Sequence, residues 1–162
     1  MSSRALLLAA LVGVGTRMAG AQAAAPPTVE PELRVDAIFG HEPAVQLGAG
    51  AQFALGYYVR LGVDGAVGVR TGAQSDSRLD GRVDVLTRFL LDPFRQSAYG
   101  LSVGGGLSVR AEPGDRARPY LLVAAELEGR RVQAGFSPAL QVGLGGGVRV
   151  GMVLRRGRAG AR

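Results

Sequence analysis

The feature that most constrains the fold is an alternation of apolar and polar residues, repeated along most of the chain. Val59–Asp64 reads VRLGVD, and Tyr99–Gly104 reads YGLSVG. A period of two places successive side chains on opposite faces of a β-strand, so each stretch predicts a strand with one apolar and one polar face. Turns between the repeats predict a meander, which must either close or protect its edges.

The polar face of these strands is rich in glycine and arginine. The chain of 162 residues contains 26 glycines, and all 19 of its basic residues are arginine. On a soluble barrel this face would lie in water, where glycine weakens a strand and covers nothing. The lumen of an eight-stranded barrel is only just wide enough for side chains, so small residues must alternate there with large ones. The composition therefore favours a polar interior and an apolar exterior that faces lipid.

Eight strands are predicted, with no helical segment between them, so every neighbouring pair can be antiparallel. Several reach about 13 residues, whereas a tilted transmembrane strand needs about 9–11 and strands in globular proteins centre on about 5–6. Pro138 cannot donate to a ladder and is assigned to a connection. We therefore predict an all-β fold, an eight-stranded antiparallel up-and-down transmembrane β-barrel over residues 33–154. The predicted strands are Leu33–Gly40, Ala44–Ala54, Tyr58–Arg70, Leu79–Leu91, Ala98–Arg110, Tyr120–Glu128, Arg131–Ser137 and Leu140–Leu154.

Charged residues on the polar face predict a structural charge network in the lumen. Burying these charges is tolerable only if they pair and hydrogen-bond with one another. Leu86 and Leu90 interrupt the charged pattern on the polar face of their strand. The residues assigned to the interior charge network are Arg60, Asp64, Arg70, Asp80, Arg82, Asp84, Arg88, Arg110, Glu126, Glu128 and Arg149.

The amino-terminal 23 residues predict a cleaved secretory signal peptide. Arg4 gives a positive start, Ala5–Gly15 is a short apolar run, and Ala-x-Ala patterns follow at 19–21 and 21–23. This run is too short for a membrane-spanning helix. Residues 24–32 form a proline-rich lead-in that is expected to be extended or disordered, and residues 155–162 form a basic tail. The protein is therefore expected to be exported.

The connections predict which end of the barrel faces outward. The links Thr71–Arg78 and Ala111–Arg118 are longer and more polar than Leu55–Tyr57, Asp92–Gln96 and Gly129–Arg130 at the opposite end. Loops on a rigid scaffold commonly carry binding. Neither longer link contains a recognisable motif, however, and solvated turns are the simpler interpretation.

Candidate catalytic and ligand-binding residues are few. The chain has no cysteine and a single histidine, His41, which argues against disulfides, zinc sites and Ser-His catalysis. Gly104–Gly106 and Gly145–Gly147 lack the lysine and the strand-to-helix transition of a phosphate-binding loop, so strand packing is the simpler interpretation. Asp80 and Asp84 lie beside arginines, which favours a salt network over acid–base chemistry. We predict no enzymatic activity, cofactor or metal.

In signal peptide, strand number, face alternation and partial loop asymmetry, the chain resembles the small eight-stranded outer-membrane β-barrels of the OmpA/OmpX type. The resemblance covers about Leu33–Leu154. It implies a location in the bacterial outer membrane, contact with outer-membrane lipid and insertion by the barrel-assembly machinery. The last strand of that class usually runs to a terminal aromatic residue, and Gly147–Met152 matches it without the aromatic. No catalytic or binding motif is shared.

The leading interpretation is an outer-membrane barrel with a structural or surface-interaction role, without catalysis. Export argues against nucleic acid as a partner of the basic tail, and a filled eight-stranded lumen argues against a pore. The alternative is a soluble periplasmic, lipocalin-like barrel that binds an apolar ligand in its interior. A barrel enzyme acting on lipid or protein is the third candidate. The first two interpretations place Leu61, Val63, Leu101 and Val103 on opposite sides of the barrel wall.

Overall fold

In the computed structural model, the alternating segments form eight β-strands that close into one antiparallel barrel. Each strand pairs with the next along the chain, and β1 also pairs with β8. This confirms the predicted fold class. The strands are β1 (Val29–Phe39), β2 (Ala44–Ala54), β3 (Val59–Thr71), β4 (Ser77–Leu90), β5 (Gly100–Ala111), β6 (Arg118–Glu128), β7 (Phe136–Leu144) and β8 (Val148–Arg156).

The structure describes residues 29–71, 77–94, 97, 99–111, 116–130 and 135–156. The predicted signal peptide, residues 24–28 of the lead-in and the tail from 157 onward lie outside these residues. Within the described ranges, no helix is long and apolar enough to cross a membrane.

The apolar face of the barrel points outward and the polar face points into the lumen. Val63, Leu101 and Val103 are 40, 43 and 41% exposed, and Leu61 lies on the same outer face. The side chains that are fully buried include Arg34 and other arginines. A soluble barrel that binds an apolar ligand needs the reverse arrangement, so the lipocalin-like alternative is wrong. The inverted arrangement is that of a transmembrane barrel.

Closure joins the first and last strands of the barrel. The β1–β8 ladder runs from Glu32 opposite Arg155 to Phe39 opposite Val148. A bilayer does not tolerate an open sheet edge, because no water is present to satisfy its backbone N–H and C=O groups. Closure therefore makes the apolar exterior compatible with lipid.

The first strand begins at Val29, four residues earlier than predicted. Pro31 pairs with Ala51 of β2, whereas the ladder with β8 begins only at Glu32. At Pro31 the strand thus has one neighbour, which is where a strand tolerates proline. Residues 29–32 therefore belong to the barrel wall and not to a lead-in.

The alternation across Leu140–Leu154 predicts a single strand, and this prediction is wrong. The segment forms two strands, β7 and β8, joined by residues 145–147. Leu144 pairs with Val148, and both side chains face outward. The link between them has three residues, so the apolar–polar alternation continues across the turn and gives no sign of it in the sequence. Gly146 and Gly147 have φ of +71° and +144°, values that glycine adopts without strain. The glycine run at 145–147 is thus a turn and not part of a strand.

Pro138 lies inside β7, opposite Leu154, and not in a connection as predicted. The β6–β7 ladder ends at Glu128 opposite Ala139, so Pro138 lies just beyond it. The carbonyl of Pro138 accepts a hydrogen bond of 2.7 Å from the Gly129 amide. Proline has no backbone N–H to donate, and the β6–β7 ladder requires no donor at this position, so the strand can include Pro138.

The predicted difference in loop length between the two ends of the barrel is wrong. We call the end with Val29 and Arg156 the termini end, and the opposite end the far end. The far-end links are 40–43, 72–76, 112–117 and 145–147, whereas the termini end has 55–58, 91–99 and 129–135. The long strands β3 to β6 extend into the predicted loops, so the far-end links are short.

Exposed aromatic residues are concentrated at the termini end of the barrel. At the termini end, Tyr57, Tyr58, Phe94 and Tyr99 are 54–81% exposed. The rings of Tyr58 and Phe94 meet edge to face, with centroids 6.2 Å apart. Exposed amphipathic rings favour the interface between membrane and water. The termini end is therefore suited to lie at a membrane surface.

Candidate functional site in the barrel lumen

The lumen contains the charged residues that the sequence assigned to an interior network. All eleven lie on inward-facing positions of β3, β4, β5, β6 and β8. Arg60 and Arg70, at opposite ends of β3, have side chains 19 and 12% exposed at the two mouths. The other nine residues are buried. Their charges therefore meet inside the barrel.

Five further lumen charges were missed by the sequence interpretation. Glu30, Glu32, Arg34 and Asp36 face inward from β1, and Arg155 faces inward from the end of β8. The alternation itself indicates inward positions on β1, because Leu33 and Val35 alternate with its charged residues. The predicted boundaries of the lead-in and the tail nevertheless excluded Glu30, Glu32 and Arg155. With these five, the buried or half-buried charges of the eight strands are eight arginines and eight carboxylates. They are Arg34, Arg60, Arg70, Arg82, Arg88, Arg110, Arg149 and Arg155, with Glu30, Glu32, Asp36, Asp64, Asp80, Asp84, Glu126 and Glu128.

The centre of the lumen is built around Arg34 and Arg82. Arg34 Nε donates to Asp36 Oδ2 at 2.8 Å, and its Nη1 lies 2.8 Å from Asp64 Oδ2. Arg82 Nη2 donates to the same Asp36 oxygen at 2.6 Å, and Arg82 Nε lies 2.9 Å from Asp84 Oδ2. These contacts connect β1, β3 and β4 across the barrel axis.

Asp80 is the central acceptor of the network near the far end. It accepts hydrogen bonds from Arg110 Nη2 at 2.6 Å, Gln46 Nε2 at 2.6 Å and Arg70 Nη2 at 3.1 Å. Arg70 Nη1 also donates to Glu42, in the first link, at 2.8 Å. This hydrogen bond holds the pKa of the Glu42 carboxyl below its ordinary value.

Arg155 is the central donor of the network near the termini end. Its Nη1 and Nη2 donate to the two carboxylate oxygens of Glu126, each at 2.6 Å. Its Nε donates to Glu32 Oε2 at 2.9 Å. A bidentate Arg–carboxylate pair is among the stronger hydrogen-bonding arrangements in proteins. Arg155 thus joins β8 to β1 and β6, and it is not part of a tail.

A small apolar cluster adds to the filling of the lumen. Leu86, which interrupts the charge pattern of β4, is 1% exposed and packs with Leu122 and Ala124 of β6.

The carboxylates Asp80 and Asp84 both bind arginines, Asp84 contacting Arg82 and Arg149. An arrangement of this kind cross-links strands that are far apart in sequence.

Inward glycines let neighbouring strands and side chains approach one another closely. A Cβ added at Gly106 would lie 2.0 Å from the carbonyl oxygen of Val85, and one added at Gly104 would lie 2.3 Å from that of Thr87. Gly105, between them, faces outward, and a Cβ there would meet the Leu122 oxygen at 3.7 Å, an ordinary contact. The glycine run at 104–106 therefore serves strand packing in β5.

We expect Gly106→Ala to lower the free energy of unfolding by about 1–3 kcal/mol, because the added methyl group forces β4 and β5 apart. Gly105→Ala is the matched control on the outer face and should be neutral or stabilising by up to about 1 kcal/mol. Urea unfolding of both variants, refolded in the same detergent, measures the difference. Equal losses for the two variants would show that Gly106 is not required by packing.

No protein-family model matches the sequence, and no curated protein is significantly similar to it. Solved structures with the same fold are transmembrane β-barrels. Neisserial surface protein A is 12% identical, with a TM-score of 0.61 over 85% of this chain and 100% of that chain. The N-terminal barrel domain of Pseudomonas aeruginosa OprF is 13% identical, with a TM-score of 0.60 over 80 and 99%.

A de novo designed transmembrane β-barrel is 17% identical, with a TM-score of 0.56 over 82% of this chain and 97% of the design. At such identities the likeness concerns the fold. This chain therefore has the fold of the small eight-stranded outer-membrane barrels, and the predicted resemblance is confirmed.

Proposed function

We propose that this chain is a bacterial outer-membrane protein whose barrel has a structural role in the membrane, without catalysis or conduction. The observation that carries the proposal is the inverted arrangement of the barrel. Eight arginines and eight carboxylates face a shared lumen, while the large apolar residues face outward. Such a barrel is a filled cylinder with a lipid-compatible surface.

Lipid is the partner that the exterior favours. Val67, Val123 and Met152 are 61–70% exposed, and such residues would be costly to leave in water as one continuous surface. The alternating strands contain no apolar run of about 20 residues, so nothing in them would hold the chain in the inner membrane as a helix. Export by a signal peptide and insertion by the barrel-assembly machinery are consistent with this pattern.

The filled lumen favours a structural role over transport. Direct side-chain contacts follow the axis from Glu32 and Arg155, through Arg34 and Arg82, to Asp80. Gln46 completes this path, because Arg82 Nη1 donates to its Oε1 at 2.6 Å and its Nε2 donates to Asp80. An ion crossing the barrel would have to break these pairs, each of which is costly to separate once buried.

Short links favour a structural role over adhesion. The links are brief at both ends of the barrel, and the longest, 91–99 at the termini end, has nine residues. A stable protein–protein interface buries about 800 Å² on each partner, and short turns on a narrow barrel offer little such area. The barrel wall itself is therefore the larger interacting surface.

Fractionation of bacteria that express the chain tests the proposed location. The protein should sediment with the outer membrane, and unboiled protein should migrate faster on a denaturing gel than boiled protein, because a closed barrel stays compact in detergent. Purified protein added to a planar bilayer should then give no unitary currents, because paired side chains fill the lumen.

The outcomes separate the parts of the proposal. Recovery in the soluble periplasmic fraction without detergent would contradict the membrane location. Stable unitary currents from the folded, heat-modifiable protein would contradict only the closed lumen and would indicate a transport role.

A further inference from the structure

A group of buried polar atoms near the termini end of the lumen has no hydrogen-bond partner among the described residues. Arg88, on β4, is 2% exposed, and Nε, Nη1 and Nη2 all lack a partner. Glu126 Oε2 lies 3.6 Å from Arg88 Nε, too far for a hydrogen bond. Both oxygens of Glu126 already accept from Arg155 at 2.6 Å. A buried guanidinium with five unsatisfied N–H groups therefore needs another acceptor.

Gln52, on β2, provides an unsatisfied acceptor beside this guanidinium. Its Nε2 donates to Glu32 Oε2 at 3.2 Å, which orients the amide, and its Oε1 has no partner. Gln52 and Arg88 line one cavity of about 10 Å³, to which Arg60 and Ser102 also contribute. The cavity thus has strong donors on one wall and a free acceptor on another.

We propose that this cavity binds one water molecule, which accepts hydrogen bonds from Arg88 and donates one to Gln52 Oε1. A cavity of about 10–15 Å³ holds a single water, provided that polar partners surround it. A water molecule can accept from up to two of the Arg88 N–H groups and donate to Gln52 Oε1 at the same time. A halide would accept from Arg88 but would face the Gln52 oxygen and the carboxylates of Glu126 and Glu128, which line the same cavity.

The surroundings of the cavity provide space and access for this water. A Cβ added at Gly62, on the neighbouring strand, would lie 2.9 Å from Arg88 Nη1, so glycine at this position leaves room for the guanidinium. Arg60 and Glu30, whose side chains are 19 and 16% exposed, form the adjacent mouth of the barrel. Water enters the cavity from the aqueous phase at the termini end.

The water distinguishes Arg88 from the lumen arginines that donate directly to carboxylates. In the centre, Arg34 and Arg82 are held directly by carboxylates. Near the termini end, Arg155 is held directly as well, whereas Arg88 is solvated by the bound water. Buried water of this kind is part of a structure and replaces the bonds that the protein does not supply.

A crystal structure of the protein, purified in detergent and crystallised from sodium bromide, tests the proposal. Data collected at the bromine absorption edge should show a peak within about 2.7–3.2 Å of an Arg88 nitrogen and of Gln52 Oε1, with no anomalous signal. An anomalous peak at this position would identify a halide and overturn the assignment to water. An empty cavity, with Arg88 bonded directly to Glu126 or Glu128, would overturn it too.

Unfolding of two matched variants gives a second readout. Arg88→Met removes no hydrogen bond from a carboxylate, whereas Arg155→Met removes the bidentate partner of Glu126 and one hydrogen-bond donor of Glu32. We expect the urea midpoint to shift far less for Arg88→Met than for Arg155→Met. Equal shifts would mean that carboxylates hold Arg88 directly, and the water proposal would then be wrong.

Discussion

Arg155→Met should lower the free energy of unfolding by about 3–5 kcal/mol, because it removes from two buried carboxylates the arginine that hydrogen-bonds to them. The Arg155 side chain is 1% exposed and donates three hydrogen bonds of 2.6–2.9 Å to Glu32 and Glu126. Methionine keeps much of the length and volume of the side chain but none of its donors. The loss of stability is measured by urea unfolding in lipid vesicles, with the folded fraction at each urea concentration read from the gel migration of unboiled samples.

Arg156→Met is the matched control for this substitution. Arg156 is adjacent in the sequence but faces outward, where its guanidinium lies 5.9 Å from the centre of the Phe136 ring. Loss of an exposed cation–π contact costs about 0.5–1 kcal/mol. If both variants lose equal stability, Arg155 belongs to a solvated basic tail, as the sequence interpretation first had it.

Removing a carboxylate as well tests the cause of the loss. The double variant Arg155→Met/Glu126→Gln should regain part of the stability lost in Arg155→Met, because the amide is easier to bury than an unpaired carboxylate. A double variant that is less stable than the wild type by the sum of the two single-variant losses would mean that the two side chains act independently.

Val85→Arg should lower the free energy of unfolding by about 2–4 kcal/mol, the cost of a basic residue at the middle of a lipid-facing strand. Val85 lies near the centre of β4, is 40% exposed, and is flanked by Val63 and Leu107 on the same outer face. On a soluble barrel the same substitution would place an arginine in water and cost little. Folding yield and urea midpoint in lipid vesicles provide the measurement.

Leu79→Arg is the control on the same strand and the same face. Leu79 lies near the far end of β4 and is 62% exposed. The cost of arginine falls to about 0–1 kcal/mol close to the membrane interface. A penalty that depends on depth in this way requires a bilayer around the barrel, whereas equal penalties at the two positions would argue against one.

Arg155, Arg88 and an arginine introduced at position 85 represent three different environments for an arginine in this barrel. Arg155 is held by carboxylates, Arg88 is proposed to be held by water, and an arginine at position 85 would be held by neither. The energetic order follows from the number of hydrogen bonds that each buried guanidinium keeps.

The sequence predicted the side of the barrel wall for nearly every strand residue. Alternation assigned Leu86 to the lumen, although it is apolar, and the structure finds it buried there at 1% exposure. Parity needs only the period of two and no knowledge of distant partners. The alternation also continues across the three-residue turn between β7 and β8. Leu144 and Val148 were therefore correctly predicted to face outward, although they belong to different strands.

Strand boundaries and charge partners were less accessible to sequence reasoning. The Arg155–Glu32 hydrogen bond joins residues 123 positions apart, and the Arg34–Gln141 bond joins residues 107 apart. Both cross the seam where the barrel closes. No local pattern indicates which of several carboxylates an arginine will meet, because that depends on the register of all eight strands.

The sequence alone determined the period of two that makes this protein a β-barrel, and it favoured a polar face inside, because glycine and arginine suit a narrow lumen better than a surface in water. The tertiary structure decided which charges pair, where the β7–β8 turn falls, and that Gly106 is required by packing whereas Gly105 is not. Those features depend on closure and register, which bring together residues that are remote in the chain and whose contacts no local sequence pattern records.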